Sequence, residues 1–366
     1  MKVKRIMPYA AALPLRRPMK TGGKELAAVD NIFVRIETDD GIVGWGEASA
    51  APRMTGETAE GIVAAIAYLT PALEGRDPRE FAANVALMDK HMYGNASAKT
   101  ALELALYDIA GKHAGKPVAE LLGNVVRTRM PVLWMLASGE TDTDIADGRA
   151  KIAAGFTAFK IKVGINPVEA DIERAIAIRA AMPGVQISAD ANQGWTVEQA
   201  IRFVEGVGSA LDFIEQPVMG HDLEGMARVA RRAAAPICAD EGLHSNADIQ
   251  RHHDSGAAQG GSLKMIKLGG LTRTFEASQM CGALGLSINL AGKIAESSLA
   301  NAGVLHLASA APNLNWGLSA TQQYLETDIV YDAIKVVDGH VIRPNGPGLG
   351  VEVDEAVLAV FCCGSR

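Results

Sequence analysis

The stretch FKIKVG, residues 159–164, has the pattern of a short β-strand that carries two lysines. Side chains alternate along a strand, so Lys160 and Lys162 point to one face and the apolar residues beside them point to the other. Burying two neighbouring ammonium groups is costly, because each loses its hydration and repels the other. The lysine face therefore requires either nearby solvent or a functional reason for its charge.

Six other short apolar segments alternate with alanine-rich helical stretches from about residue 130 onward. They are PVLWMLAS (131–138), VQISADAN (185–192), LDFIEQP (211–217), PICADE (236–241), GSLKMIKLGG (261–270) and LSINLAG (286–292). Strands that alternate with helices predict βαβ units and a parallel sheet. We therefore predict an α/β fold built around a TIM-type barrel.

Polar residues near the ends of five consecutive segments recur at steps of 28, 25, 25 and 24 residues. They are Lys162, Asp190, Glu215, Asp240 and Lys264. One strand with its crossover helix has roughly this length. Because a TIM-type barrel gathers its catalytic groups at one end of its strands, the spacing predicts one shared site. The alternative is that each is an ordinary turn or cap residue, since Asp is common at helix N-termini.

Composition excludes several classes of function. The 366 residues are 48% hydrophobic and carry a net charge of -7, with no lysine-rich run, which argues against nucleic-acid binding. No apolar run approaches the ~20 residues that span a bilayer. The start, MKVKRIMPYAAALPLRRP, lacks an apolar signal core, so we expect a soluble cytoplasmic protein. Four cysteines lack metal spacing, and the adjacent pair Cys362–Cys363 is a poor disulfide candidate.

The first third of the chain has a different pattern. In NIFVRIETDDGIVGWGEAS (31–49), alternating apolar residues flank a DDG turn, which predicts an antiparallel hairpin. Residues from about 57 to 122 have helical periodicity, with Ser97 as a candidate helix cap. Strand-like alternation returns near residue 326. We predict an α+β unit at 1–125, a barrel at 126–325 and a segment at 326–366 that packs back on the first unit.

Three carboxylates at one mouth of a barrel would repel one another unless a positive charge lies between them. A hard divalent cation with oxygen ligands, Mg²⁺ with Mn²⁺ as the alternative, suits Asp190, Glu215 and Asp240 and keeps positions open for substrate oxygens. Asn192, two residues after Asp190, and Glu241 are candidates to orient the ligands or the substrate.

The lysines flank the predicted metal site. Lys160 and Lys162 lie on one side, and Lys264 lies four strands further on, on the opposite side of the barrel. A neighbouring ammonium or metal would lower the pKa of Lys162 and make it a base near neutral pH. The metal would bind a substrate carboxylate and stabilise the charge that builds when the adjacent proton leaves. The layout favours proton abstraction from a small carboxylate substrate.

FKIKVG, ADAN, IEQP, ADE and LKMIKLGG, together with the N-terminal DGIVGWGEA, resemble the enolase superfamily. The resemblance covers essentially the whole chain and is greatest to the muconate-lactonizing subgroup of the mandelate racemase/muconate lactonizing enzyme family. It implies a modified (β/α)7β barrel under an α+β capping domain. It implies Asp190, Glu215 and Asp240 as Mg²⁺ ligands. It also implies Lys162 and Lys264, rather than Lys267, as the acid/base pair.

The same resemblance assigns further roles. Lys160 would assist Lys162, and Glu296 matches an acid that follows strand seven. The loops at 17–29 and 51–57 would close over the substrate, with Gly22 and Gly23 suited to a mobile lid. Gly242 departs from the Ser that often follows ADE, which makes the local pocket smaller or less polar. Trp134 and Trp316 either line the pocket or fill the barrel.

Several reactions fit this set of residues. We favour a muconate cycloisomerase-like proton abstraction through an enediolate, dependent on Mg²⁺. The alternatives are a racemase or epimerase of an amino acid derivative or dipeptide, and a dehydratase of a hydroxy acid. A Schiff-base aldolase would explain one lysine but leave three carboxylates without a role. A non-catalytic binding barrel is the remaining class. Apolar content and the resemblance suggest a homo-oligomer.

Overall fold

The computed structural model of the protein describes residues 1–21 and 24–362. Gly22 and Gly23, predicted to suit a lid, lie outside the described residues, as does Cys363 of the adjacent cysteine pair. The N-terminal unit begins with three strands and continues with four helices. These are β1 (Val3–Thr21), β2 (Lys24–Thr38), β3 (Val43–Ser49), α1 (Ala59–Leu73), α2 (Phe81–His91), α3 (Ala96–Ala114) and α4 (Val118–Leu122).

The three strands form one antiparallel sheet in the order β1-β2-β3. The predicted β2–β3 hairpin and its turn at residues 39–41 are confirmed. Ile32, Val34 and Ile36 pack in one apolar cluster with α1 and α3. Phe33, on the opposite face, is equally buried against the main core. Strand β2 is therefore covered on both faces.

Two local predictions for this unit were wrong. Residues 17–21 and 24–29 belong to the strands β1 and β2 rather than to a loop, whereas 51–57 is a loop as expected. Ser97 lies inside helix α3 and does not cap it, because Asn95 is the N-cap. The backbone N–H and hydroxyl of Ser97 instead donate to the carboxylate of Glu57, at 3.1 and 2.7 Å. Glu57, from the loop before α1, is therefore the acid that accepts hydrogen bonds at the N-terminal end of α3.

The rest of the chain alternates strands and helices, with a short antiparallel pair and a final helix. The elements are β4 (Arg129–Pro131), β5 (Leu133–Leu136), α5 (Thr141–Ala153), β6 (Ala158–Lys162), α6 (Val168–Ala181), β7 (Gln186–Asp190), α7 (Val197–Val207), β8 (Phe213–Glu215), α8 (Leu223–Ala230), β9 (Ile237–Ala239), α9 (Asn246–Asp254), β10 (Gly260–Leu263), α10 (Met265–Leu268), α11 (Leu271–Ala283), β11 (Ser287–Ala291), α12 (Ser298–Ala310), β12 (Leu318–Ser319), a 3₁₀ turn (Gln322–Tyr324), β13 (His340–Ile342) and α13 (Glu355–Phe361).

Strands β5 to β12 form one parallel sheet in chain order. A parallel bridge between Val132 and Leu318 brings the two ends of the sheet together. Eight parallel strands with helical crossovers between them make the nearly closed (β/α)7β barrel that was predicted. Inside it, Trp316 stacks on Phe213, with ring centroids 4.4 Å apart, and the two rings belong to one buried cluster with Cys238. These three side chains fill the barrel interior.

The C-terminal segment contacts both other parts of the molecule. Strand β13 pairs with β4, and α13 lies near β1. Cys362 forms an antiparallel bridge with Ala11, and Glu355 makes an ion pair with Arg35 of β2. Among the helices of the described residues, none is both long and apolar enough to cross a membrane.

Helix α3 joins the N-terminal sheet to the barrel. The Thr100 hydroxyl donates to the carbonyl of Met265, which directly follows Lys264, at 2.8 Å. On its other side, α3 lies so close to β3 that only glycine fits at position 46. A Cβ atom on Gly46 would lie 2.0 Å from the carbonyl oxygen of Ala101. The close approach of strand to helix therefore fixes the position of α3 against the barrel.

We expect Gly46→Ala to lower the free energy of unfolding by about 1–3 kcal/mol, because the new methyl group displaces α3. Gly61→Ala is the matched control, since its Cβ would meet only the Thr58 hydroxyl at 3.4 Å inside helix α1. That change is expected to be neutral or to stabilise by about 0.5–1 kcal/mol. Urea unfolding followed by circular dichroism measures both. Equal stability of the two variants would contradict the close packing of β3 on α3.

Candidate active site

The three predicted carboxylates lie side by side at one end of the barrel. Lys162, Asp190 and Glu215 are the last residues of β6, β7 and β8, and they occupy paired positions in the ladder. Asp240 directly follows β9. All three acids are buried, and each acts electrostatically on the others. The structure therefore brings together the residues that the spacing predicted.

Two of the carboxylates pair with the lysines of β6. Lys162 Nζ lies 2.6 Å from Asp190 Oδ2, and Lys160 donates to Glu215 Oε2. Burial disfavours the Asp190 carboxylate, but Lys162 and Lys160 outweigh burial and lower its pKa. For Glu215 burial prevails and raises the pKa. Burial also disfavours the Lys160 ammonium, yet Glu215 and Asp190 outweigh it and raise the pKa of Lys160. Lys160 therefore stays a cation.

Asp240 pairs with two lysines from the other side of the barrel. Lys264 donates to its Oδ2 atom and Lys267 to its Oδ1 atom, the latter at 2.5 Å. The two ammonium groups outweigh burial and hold the pKa of Asp240 well below its usual range. Burial lowers the pKa of Lys267, although Asp240 opposes the shift. For Lys264 the nearby carboxylates overcome burial and raise the pKa.

The lysines differ in their access to solvent. The side chain of Lys162 is 21% exposed, against 7% for Lys160, 9% for Lys264 and 0% for Lys267. A group that exchanges protons with a substrate must be reachable. Lys162 meets that requirement best, and the sealed Lys267 meets it least.

Asn192 and Glu241 extend the site beside Asp190. Asn192 accepts from Lys162 Nζ at 2.6 Å and donates its amide to Glu241 Oε1 at 3.1 Å. Its backbone N–H donates to Asp190 Oδ1, which the left-handed backbone of Asn192 (φ 44°) permits. Burial and the charge of Asp240 raise the pKa of Glu241 to about 7. The second oxygen of Glu241 is buried and has no hydrogen-bond partner among the described atoms.

The residues of this site fit a hard divalent cation by their chemistry. In the described parts of the chain no three His, Cys, Asp or Glu side chains are arranged to hold a metal as they stand. The physical reason is that each carboxylate turns toward a lysine. Three buried carboxylates on consecutive strands, with an unpartnered oxygen of Glu241 beside them, are nevertheless the donor set that Mg²⁺ and Mn²⁺ prefer.

Glu296 lies on the Lys264 side of the site. It is buried, and the charges of Lys293 and Lys264 act on its carboxyl. Burial raises the pKa of Glu296 to about 7. Its Oε2 atom sits over Gly292, where a Cβ would approach to 2.5 Å. Glycine at position 292 therefore makes room for this acid.

Trp134 is not brought to the site. It pairs in register with an apolar residue of β6 and so points toward the helices, not into the barrel. Its indole N–H donates to Asp147 of α5 at 2.7 Å, and the ammonium of Lys151 lies 3.6 Å from the ring centroid. The prediction that Trp134 contacts substrate or fills the barrel is therefore wrong. Trp316 fills the barrel instead.

Two supporting residues were missed from the sequence. Lys267 was set aside as a base, yet it binds Asp240 and also the carbonyl of Ser262. Gln216, which follows Glu215 in the IEQP segment, accepts from the backbone N–H groups of Asp240 and Gly242 at 2.8 and 3.1 Å. A polar residue directly after a predicted ligand was the only available signal for Gln216.

Two family models match the chain. The model described as "Mandelate racemase / muconate lactonizing enzyme, N-terminal domain" matches residues 5–123. The model described as "Enolase C-terminal domain-like" matches residues 145–357. Together they span most of the described structure.

Individual proteins are similar over nearly their whole length. The chain is 34% identical to muconate cycloisomerase 1 of Pseudomonas putida, covering 95% of this chain and 94% of that protein. It is 31% identical to an N-succinyl-L-Arg/Lys racemase of Bacillus cereus, covering 98% and 97%. The crystal structure of a Pseudomonas fluorescens muconate lactonizing enzyme complexed with muconolactone superposes with a TM-score of 0.95, at 30% identity and 99% coverage of both chains.

We expect Lys267→Met to destabilise the protein by about 3–5 kcal/mol, because it breaks a fully buried ion pair. Lys264→Met is the matched control, since it removes the other ion pair of Asp240, whose lysine is 9% exposed and makes one hydrogen bond where the sealed Lys267 makes three. Its expected cost is about 1–3 kcal/mol. Urea unfolding measures the difference. A larger loss for Lys264→Met would show that Lys267 is not the main partner of Asp240.

Proposed function

Because the chain belongs to the mandelate racemase/muconate lactonizing enzyme family of the enolase superfamily, we propose that it abstracts the proton next to the carboxylate of a small organic acid. The product of that step is an enediolate. The members to which the chain is similar are isomerases, and the chain is an enzyme of this superfamily.

One observation carries the proposal. Three buried carboxylates from consecutive strands meet at one end of the barrel, and lysines approach them from opposite sides. A binding barrel gains nothing from burying so much charge, which lowers stability unless every group is paired. A Schiff-base aldolase would use one of the lysines and leave the three carboxylates without a role.

The residues divide the work as follows. Asp190, Glu215 and Asp240 hold a divalent cation, Mg²⁺ or Mn²⁺. When bound, such an ion stabilises the negative charge that develops on a substrate carboxylate. Lys162, the most accessible of the four lysines at the site, takes or returns the proton on one side of the substrate. Lys264 does so on the other, and Lys160 supplies positive charge next to Glu215.

We favour a cycloisomerase outcome of the muconate type, supported by the similarity to muconate cycloisomerases and by the acid Glu296 near Lys264. A racemase or epimerase is the second candidate. Lysines on both sides of the site support it, because a proton removed by one and returned by the other inverts the carbon. The similarity to an N-succinyl-L-Arg/Lys racemase supports it equally.

Deuterium exchange at the α-carbon tests the reaction class. We expect exchange in D₂O with Mg²⁺ for at least one of the muconates, dipeptides, N-acyl amino acids and hydroxyprolines, followed by NMR. Lys162→Ala is expected to slow it by about 10²–10⁴-fold. Lys335→Ala, an exposed lysine, is the control. For a racemase, each single lysine variant loses exchange from only one enantiomer.

The double variant Lys162→Ala/Lys264→Ala decides between the classes. Exchange that persists in it would contradict the assignment of these lysines. Irreversible inactivation by borohydride in the presence of a carbonyl substrate would favour the Schiff-base aldolase.

Mg²⁺ is expected to stabilise the native protein by about 2.7 kcal/mol at a concentration 100 times its dissociation constant. Thermal unfolding with and without the ion measures this shift, which requires no substrate. Asp190→Asn and Asp240→Asn should abolish it, because each removes one charged ligand. Glu198→Gln, an exposed acid on α7, should keep it. Stabilisation retained in both Asn variants would place the metal elsewhere.

A further inference from the structure

Arg174, in the middle of helix α6, is a buried arginine that contacts the carboxyl end of β6. Its side chain is 2% exposed. Nη1 donates to Asp144 Oδ2 of α5 at 2.8 Å, and Nη2 donates to Asp171 Oδ1 of α6 at 3.2 Å. Nη2 also donates to the backbone carbonyl of Lys162. One side chain thus joins two buried carboxylates to the backbone of a candidate catalytic residue.

The Lys162 carbonyl is open to this contact because β5 ends early. The N–H of Val163 donates to the carbonyl of Asp190 at 3.0 Å, on the β7 side. In a trans peptide the C=O points opposite to the N–H, so the Lys162 carbonyl faces the β5 side. The ladder between β5 and β6 stops one residue before Lys162. Arg174 supplies a hydrogen-bond donor where the neighbouring strand has none to offer.

The two acids that the guanidinium group binds also hold the neighbouring loops. Asp171 Oδ2 accepts the N–H of Gly164 at 2.8 Å. Asp144 Oδ1 accepts the backbone N–H and the hydroxyl of Ser138 at 3.1 and 2.7 Å. Both acids are buried. The guanidinium group and its two acids therefore fix the backbone that follows β6 as well as the segment that follows β5.

Stability alone does not explain this cluster. It buries two acids around one cation, and Nε of Arg174 has no hydrogen-bond partner among the described atoms. Buried ion pairs often stabilise a protein no more than apolar side chains of similar volume would. A buried donor without a partner adds a further cost. What the cluster provides is a defined position for the backbone beside the site.

We propose that Arg174 is a positioning residue for Lys162. The Lys162 ammonium lies 2.6 Å from both Asp190 and Asn192, and this placement depends on where the backbone of Lys162 lies. Arg174 holds the peptide after Lys162 from the β5 side, and Asp190 holds it from the β7 side. The direction in which the lysine leaves β6 is thereby fixed. The catalytic meaning of this contact rests on the proposed function, whereas the fixed backbone does not.

Only an arginine can make these contacts together. Three acceptors surround the guanidinium group, namely the carboxylates of Asp144 and Asp171 and the carbonyl of Lys162. A guanidinium group is a planar fork with five N–H donors, whereas an ammonium group is a compact point charge. Arg174→Lys therefore keeps the buried positive charge but cannot bind all three acceptors in the present geometry.

Hydrogen exchange of the backbone amides, followed by mass spectrometry, tests the proposal without any substrate. In Arg174→Lys we expect peptides that contain Val163 and Gly164 to exchange about tenfold faster than in the native protein, because the end of β6 opens more often. Peptides that cover residues 262–268, around Lys264, should keep their native rate. Unchanged protection at Val163 and Gly164 would overturn the proposal, whether or not a substrate is found.

A double-variant cycle tests the catalytic consequence. In α-carbon exchange, Arg174→Lys is expected to lower kcat by about 10–10²-fold with little change in KM, because a small displacement of the base is costly. In the Lys162→Ala background it should have no further effect, since Arg174 acts through Lys162. Equal losses in both backgrounds would indicate a merely structural role and overturn the proposal. A lack of exchange with every substrate would contradict the proposed function instead, and the amide exchange then decides the role of Arg174.

Arg179→Lys is the matched control. Arg179 also belongs to α6 and also donates to backbone carbonyls, those of Val185 and Ala210, and to the carboxylate of Asp212. These partners precede β7 and β8 and so lie at the opposite end of the barrel. Its replacement should lower the melting temperature, yet leave kcat and the protection of residues 163–164 unchanged. Equal losses of kcat in the two variants would contradict the role of Arg174.

Asp171→Asn provides the test if Arg174→Lys does not fold. Asp171 gives one oxygen to Gly164 and the other to Arg174, whereas an asparagine side chain has a single oxygen. The variant has the same shape and loses one of the two hydrogen bonds. Amide exchange at Gly164 should rise and kcat should fall, as in Arg174→Lys but to a smaller extent. Native values of both quantities in Asp171→Asn would overturn the proposal.

Discussion

The structure depends on one electrostatic constraint, which is that buried carboxylates and lysines must neutralise each other at the end of the barrel. Asp190, Glu215 and Asp240 would repel one another if they stood alone. Four lysines remove that repulsion, and the pKa shifts of the acids record how well each is paired. A divalent ion would compete with these lysines for the carboxylates. Metal binding and lysine protonation are therefore linked.

Buried charge is compensated in the same way at the contact between the N-terminal unit and the barrel. Glu47 and Glu103 of the N-terminal unit accept hydrogen bonds from backbone N–H groups at the N-terminal ends of α12 and α11. Those helices follow the strands that precede Glu296 and Lys264. A helix N-terminus is a favourable place for a buried anion, because its free N–H groups and dipole compensate the charge. Two acids of the N-terminal unit thus contact the helices that follow the segments carrying Glu296 and Lys264.

The sequence predicted the barrel strands because the hydrophobic pattern of each strand is local, and it predicted the order of the site because strand spacing is regular. It missed what depends on distant partners. In the sequence, Lys267 looks like any lysine of a short helix, and only the folded structure shows that it pairs with Asp240. Glu47 meets Ser297 across 250 residues of sequence. Strand β12 has only two residues, too few for periodicity to register. The glycine and lysine content of residues 17–29 predicts a loop, because it hides the strand pairing that the ends of β1 and β2 make.

Alternation along each strand also explains why Trp134 lies away from the site while Lys160 and Lys162 lie within it. All three lie on barrel strands. In β6, however, only the even-numbered residues, which include Lys160 and Lys162, and the residues that pair with them on the neighbouring strands face inward. Trp134 pairs with the outward Phe159, so its indole must find partners on α5. The register of β5 against β6 thus places Trp134 outside the site. In a parallel barrel, residues that pair on neighbouring strands point to the same face. Once the inward-facing residues of one strand are known, the register therefore determines which residues of the other strands face inward.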